Sequence, residues 1–419
     1  MYCFTQGPET LRGLCFDLAR HPAPRRRGVR LIVVGEWRTL ARNLRSSFRP
    51  LSGLTLISNN RIHFLAFLIL FLLAEVNVLA QSLPTVAITG RVLDDSSGAA
   101  LANADVFIAN STLGAPTNDQ GRFVIKGVPL GTHELVASRV GYLLVTRIVR
   151  ITDSTQQNID FRLKPRQLVV GAVEILAPEP VEWKKDLAKF KEFFLGEGPN
   201  AAKTVLLNPE VLSFTKDPSG RFEAQASQPL RIDNWALGYQ LQLELVTFVI
   251  SDKWLTYAWK ALYRNLYSSG VDQDKEWALR RLRTYKGSLR HFLASLAVGT
   301  ADAQGFQMFR VKRFDASRIR WPMTNEDLIT PGPLPNEKFL AFDDFLEVEY
   351  SYGPRRTSQN APFSTSETNP YVSWLQLTSW RSTISTLGNY SEPFSIKVTG
   401  WWAGARIPDE LPFDFIPAN

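Results

Sequence analysis

Beyond residue 80 the chain holds two histidines, His133 and His291, and no cysteine. That inventory limits the chemistry at once. Tight zinc and iron sites are built largely from His and Cys. Zinc-dependent peptide hydrolysis uses two His and a Glu, commonly opening as H-x-x-E. His133 is followed by Glu134, Leu135 and Val136, and His291 by Phe292, Leu293 and Ala294. Neither opens that motif, so the sequence predicts no metal site and no cofactor. Asp94-Asp95 offers carboxylate oxygens, but without the spacing of a calcium loop.

A serine hydrolase needs a serine beside a histidine base. The sequence has no G-x-S-x-G. Gly287-Ser288 with His291 places Ser and His three residues apart on a predicted helix, where side chains can be neighbours. With Arg283 and Tyr285 close by, Ser288 and His291 form the one catalytic candidate. A helical serine lacks the exposed strained turn that such nucleophiles use, so the expectation is structural hydrogen bonding. Arg280, Arg283, Lys286 and Arg290 share the same stretch. They are candidates for an anion site, since guanidinium groups hold carboxylate and phosphate in bidentate fashion. The plainer reading is a solvated helix face.

The elements that would carry these residues follow from periodicity. Trp183, Leu187, Phe190 and Phe194 recur at helical spacing, and Gly196, Gly198 and Pro199 end that helix. Gly196-x-Gly198-x-x-Ala201 mimics a dinucleotide fingerprint but follows a helix and contains proline, so it is discarded. Ala278, Leu282, Tyr285, Leu289, Phe292 and Leu296 predict one helix over 274–298, interrupted at Gly287-Ser288. Stretches 205–214, 222–229, 237–250, 346–352 and 394–399 read as β-rich, and Gly353–Pro370 as a polar loop. Trp254, Tyr257, Trp259, Tyr263 and Tyr267 are read as core packing, with a sugar platform as the rarer alternative.

Upstream, Ile88–Leu163 alternates in strand fashion. Ala104, Val106 and Ile108 share one face, as do Ile159, Phe161 and Leu163. Asn118-Asp119-Gln120-Gly121 and Pro129-Leu130-Gly131 supply turn chemistry. About seven short strands predict a sandwich. Gly90-Arg91-Val92, the run ANADVFI, the run TNDQGRF and the S-x-x-G-Y ending at Tyr142 resemble the carboxypeptidase regulatory-like domain. The resemblance implies a prealbumin-like β-sandwich, common in bacterial envelope proteins and without peptidase chemistry of its own. The later runs FLGEGPNAAKTVLLNPEVLSF, IDNWALGYQLQLEL and RTYKGSLRHFLASL resemble the C-terminal region of uncharacterised envelope proteins carrying the same domain.

Charge and hydropathy set the remaining expectations. Residues 1–61 hold eleven Arg, no Lys and only Glu9, Asp17 and Glu36 as acids, which accounts for the whole net charge of +8. A balanced body has no field to draw a phosphate backbone, so nucleic acid is not an expected partner. Residues 1–61 are read as an over-long gene start. Residues 62–80 read as a signal peptide: Arg61, an apolar run, then Val78-Leu79-Ala80 before Gln81. Cleavage between Ala80 and Gln81 is expected; an uncleaved anchor over 62–80 is the alternative, and the sole expected membrane contact. The run is short of the roughly 20 residues that span a bilayer.

Together these readings predict a mixed fold. It comprises an all-β prealbumin/Ig-like sandwich over 84–165, a linker over 166–180 and an α+β domain over 181–419. The expected function is a non-catalytic binding or scaffolding protein of the bacterial envelope or periplasm, with an envelope protein or a glycan as partner. The alternative is an enzyme sited near Arg283, Ser288 and His291.

Overall fold

The computed structural model describes residues 2–5, 84–153, 155–166, 181–251, 254–312, 319–351, 371–390 and 394–417. They belong to one compact unit made of Met1–Pro8 and Leu83–Asn419. The signal segment with its Ala80/Gln81 junction, the strand expected at 168–175 and the polar loop over 353–370 lie outside the described residues, save Ser351 before that loop.

Strand β1 is Tyr2–Thr5. The sandwich follows as β2 (Thr85–Asp94), β3 (Asp105–Ile108), β4 (Gly114–Pro116), β5 (Arg122–Pro129), β6 (Gly131–Ser138), β7 (Val145–Ile151), β8 (Gln157–Asn158) and β9 (Phe161–Leu163). One sheet runs β5-β2-β8 with β9 also on β2; the other runs β4-β3-β6-β7. Val86, Ile88 and Val92 of β2 meet Phe123, Ile125, Phe161 and Leu163 in the core between them. Each such fully buried side chain contributes roughly 1.5–3 kcal/mol. The single strand expected through Asn158–Leu163 is two short ones in one register along the same edge of β2, because the parallel ladder is interrupted at residues 159–160. There the Ile159 amide donates to Thr89 O at 2.7 Å and Asp160 accepts from the Arg91 amide at 2.8 Å.

The motif ending at Tyr142 has a clear structural role. The Tyr142 hydroxyl donates to Asp94 Oδ2 at 2.9 Å, and Asp94 Oδ1 accepts from the Ser96 and Ser97 amides at 2.9 and 2.8 Å. The Ser97 amide first, then Tyr142, hold the Asp94 carboxyl below the usual carboxylate range. Asp94, read above as a possible cation ligand, is thus committed to its own turn.

The rest of the described chain is mostly strand, and its helical part is smaller than an α+β reading implies. The strands are β10 (Thr204–Leu206), β11 (Leu212–Lys216), β12 (Phe222–Ala226), β13 (Leu230–Asn234), β14 (Tyr239–Ile250) and β15 (Trp254–Asn265). They continue as β16 (Phe306–Val311), β17 (Arg320–Met323), β18 (Ile329–Pro331), β19 (Glu337–Leu340), β20 (Phe345–Tyr350), β21 (Val372–Leu377), β22 (Ser382–Ser385) and β23 (Ile396–Gly400). The main sheet runs β10-β13-β14-β15-β1-β23-β21-β20-β16-β17, with β12 on β14 and β11 on β12. A smaller sheet runs β18-β19-β22.

Three helices longer than one turn pack on this sheet. Helix α1 (Val181–Phe194) sinks Phe190 and Phe194 against Phe248, as its spacing predicts. The single helix expected over 274–298 is two, α2 (Val271–Tyr285) and α3 (Leu289–Ala297). Gly287 breaks them at φ +76°, and a Cβ there would lie 2.6 Å from the Tyr350 ring. The break also resets the buried face. Helix α2 buries Trp277 and leaves Ala278 exposed, whereas almost every residue of α3 is buried. Of the aromatic run in β15, Tyr257, Trp259 and Tyr263 are core, while Tyr267 is 98% exposed.

Candidate binding cleft

The sandwich is seated on the main sheet through the outer face of β3 and β6. Phe107 and Val136 pack on Leu262 of β15. Around them Lys260 pairs with Glu134, Arg264 with Asp105 at 3.1 Å, and Gln242 donates to Asp105 at 2.8 Å. The turn after β3 docks edgewise: Asn110 N donates to Ala261 O at 2.7 Å and accepts the Ala261 amide on Oδ1 at 3.0 Å. Both the backbone and the side chain of Asn110 are spent in this junction.

At one end of the junction the two parts leave a small open cleft of about 20 Å³. The sandwich supplies Ser138 through Tyr142, Leu144 and Arg166; the sheet supplies Ser227, Gln228, Pro229 and Glu244. Glu244 sits on β14, where strand alternation turns it away from the core residues Leu243 and Leu241. Ser138, the last residue of β6, donates its hydroxyl to Glu244 Oε1. Burial raises the Glu244 carboxyl above its usual range, against the opposing pull of Ser138 and Arg166. Across the cleft Arg166 Nη1 donates to Ser227 O at 2.6 Å. Val140, 64% exposed, and the Tyr142 ring under the Arg139 guanidinium add an apolar lip. A carboxyl that accepts, a guanidinium that donates and a ring edge can together hold a small polar group.

The residues singled out in the sequence lie elsewhere and serve packing. Ser288 is the N-cap of α3 and accepts from the His291 amide at 3.1 Å. The His291 ring turns instead to Gly287, whose amide reaches Nδ1 at 3.0 Å, and to Gln304 Oε1, 3.3 Å from Nε2. That pattern assigns a neutral ring with its proton on Nε2. Tyr285 packs on it at 4.9 Å between centroids. Ser288→Ala is expected to lower stability by about 1 kcal/mol, as for other N-caps, and Ser288→Asp to restore it. Urea midpoints check this; an unchanged midpoint contradicts the capping role.

Of the proposed anion cluster, Arg280 pairs with Glu276 at 2.8 Å, and Arg283 and Lys286 face solvent. Arg290 turns into the protein, where Nε donates to Leu387 O at 3.0 Å and the two terminal nitrogens donate to Pro412, Phe413 and Phe415 carbonyls. The arginine that anchors α2 is Arg281, absent from the sequence reading. It stands 4.0 Å over the Tyr239 ring and donates to Leu237 O at 2.6 Å.

Both buried histidines are pushed below the ordinary value by burial, which outweighs His133's contact with Pro129 O and His291's with Gln304. The unfolded chain therefore binds more protons as pH falls through about 6.5. Their contribution to stability is present above that pH and is lost as pH falls from 6.5 towards their lower folded values. Urea midpoints between pH 7.5 and 5.5 are expected to fall, and the slope to flatten in the double variant His133→Gln/His291→Gln. An unaltered slope contradicts the assignment.

Residues 87–164 match the carboxypeptidase regulatory-like domain. No curated protein matches the chain. Among solved structures, a type II cohesin–X-dockerin complex from Acetivibrio cellulolyticus aligns at 23% identity, 20% of this chain, 62% of that chain and TM-score 0.18. A pilus 2b backbone protein of group B streptococcus aligns at 22% identity, 19% and 41% coverage, and TM-score 0.17. A carbohydrate binding protein of Bacteroides uniformis, so titled as putative, aligns at 11% identity, 43% and 80% coverage, and TM-score 0.17. The chain thus spans under two thirds of the first two, and TM-scores this low say nothing of what it binds. The residues that match, 87–164, are those of the sandwich of β2 to β9.

Proposed function

We propose that the protein is a non-catalytic binding protein of the bacterial envelope, exported by the segment over 62–80. Its ligand enters the cleft between Ser138–Tyr142 and Ser227–Pro229. The observation that carries this reading is Glu244, a carboxyl kept part-buried at a junction where a purely structural face would place an apolar residue. A glycan would meet the cleft from outside, with Glu244 and Arg166 addressing a hydroxyl and the Tyr142 side offering an apolar face.

The test is a glycan array probed with the full chain, followed by calorimetry on the best ligand. Glu244→Gln keeps the shape and is expected to weaken binding about tenfold, which is 1.4 kcal/mol. Arg166→Ala is expected to act in the same direction. Binding that is indifferent to both variants, or release of a cleaved product, contradicts the proposal.

A further inference from the structure

The main sheet is continuous only by virtue of four residues. Six of its strands end at the edge of β15 and five at the edge of β23, and among the described residues these edges meet only through β1. Tyr2, Cys3, Phe4 and Thr5 pair antiparallel with Tyr257, Thr256, Leu255 and Trp254. Cys3 and Phe4 also pair in parallel with Lys397 and Val398. Two strand spacings, about 9.5 Å, separate the flanking edges. Each edge carries unpaired amides and carbonyls wherever that strand is missing, which is a template for another chain.

We propose that the gap between β15 and β23 is a strand-accepting slot for an extended segment of a partner polypeptide. In this chain Tyr2–Thr5 holds the place. The flanks state the chemistry of the occupant. Paired residues share a face, so the position opposite Leu255 and Val398, which are 1% and 0% exposed, calls for an apolar side chain. Positions on the other face lie by Lys397 and Trp254. The Lys397 ammonium stands 5.2 Å from the Trp254 ring, so the two close over the slot from opposite strands. Small or polar residues fit beneath that clasp. Main-chain pairing supplies affinity and the alternate pockets supply selection, as in other strand-addition modes.

The occasion for exchange rests on the export proposed above. Cleavage after Ala80 removes Tyr2–Thr5 and vacates the slot. The capacity of the slot is tested in vitro, so the two ideas fail separately. Native Cys3 lies opposite Thr256, and paired Cα atoms stand about 4.5–5.5 Å apart, within disulfide range.

The full chain would carry Cys3→Ser, Cys15→Ser and Thr256→Cys, with or without Phe4→Pro, which removes a ladder donor. The probe is a synthetic peptide of residues 1–8, whose only thiol falls opposite position 256. Disulfide capture is expected to run at least ten times faster with Phe4→Pro than without it. A thiol placed by Ser219→Cys at an exposed turn sets the background rate and is expected not to change. Phe4→Gly, with circular dichroism, repeats the test should the proline variant unfold. Equal rates in the two backgrounds overturn the slot. A peptide-free, slot-linked dimer overturns the partner assignment in favour of a second copy.

Discussion

Replacing Arg290 by alanine is expected to lower stability by about 3–5 kcal/mol, because several buried carbonyls lose their donor together. Arg290 ties α3 to the stretch that runs from Leu387 to Phe415. Its guanidinium spans Leu387, Pro412, Phe413 and Phe415 oxygens. That stretch in turn docks the sandwich: Phe413 N donates to Asn110 O at 2.8 Å, and Asp414 accepts from the Thr112 amide at 3.0 Å. Arg290→Lys is expected to recover little, since one ammonium cannot reach a fan of acceptors that a planar fork serves. Urea unfolding measures both, and a loss below about 1 kcal/mol would contradict the cage. Hydrogen exchange should place the damage at residues 387–415 and at the turn after β3.

Gly90→Ala is expected to be nearly as damaging, at about 3 kcal/mol or more, through forced overpacking. A Cβ on Gly90 would lie 1.8 Å from Ile159 O and 2.6 Å from its carbonyl carbon. No side chain can rotate away, because the obstacle is the Ile159 backbone running beside β2. Gly127 provides the comparison within the same sandwich. It sits at φ +76° with nothing within 4 Å of its missing Cβ, so Gly127→Ala is expected to cost only about 1 kcal/mol, from conformation alone. If the two variants unfold at the same urea concentration, the close approach of residues 159–160 to β2 is wrong.

Much of this architecture was written in the chain, and the exceptions have physical causes. The sandwich was legible because its turns carry Gly, Asn and Pro where positive φ or tight bends require them. Ala104, Val106 and Ile108 share the inner face, as their alternation predicts. Phe107 lies between Val106 and Ile108, and all three are buried. A strand that is apolar at consecutive positions has both faces covered. The same holds for Leu135-Val136-Ala137 of β6, which packs inward on the sandwich core and outward on the main sheet. Those continuous runs are the signal of the junction that the alternation reading passed over.

The helix over 274–298 misled for a different reason. Its apolar spacing continues evenly through Gly287, but the glycine changes the direction of the chain. Helix α2 then hangs on Trp277 and Arg281 instead of the extrapolated stripe. The cleft itself gave no signal. Ser138, Arg166, Ser227 and Glu244 are scattered over a hundred residues, and each reads alone as an ordinary polar residue. Only the seating of one β-layer on another brings them together.

The central claim is that sandwich and sheet form one composite binding surface. Hydrogen exchange on the full chain, with and without a saturating glycan from the array, tests it most directly. Protection is expected to rise together at residues 138–142 and 227–229, with residues 280–291 unchanged. Protection confined to 280–291, around Arg283, Ser288 and His291, would contradict the account and return attention to that helix pair.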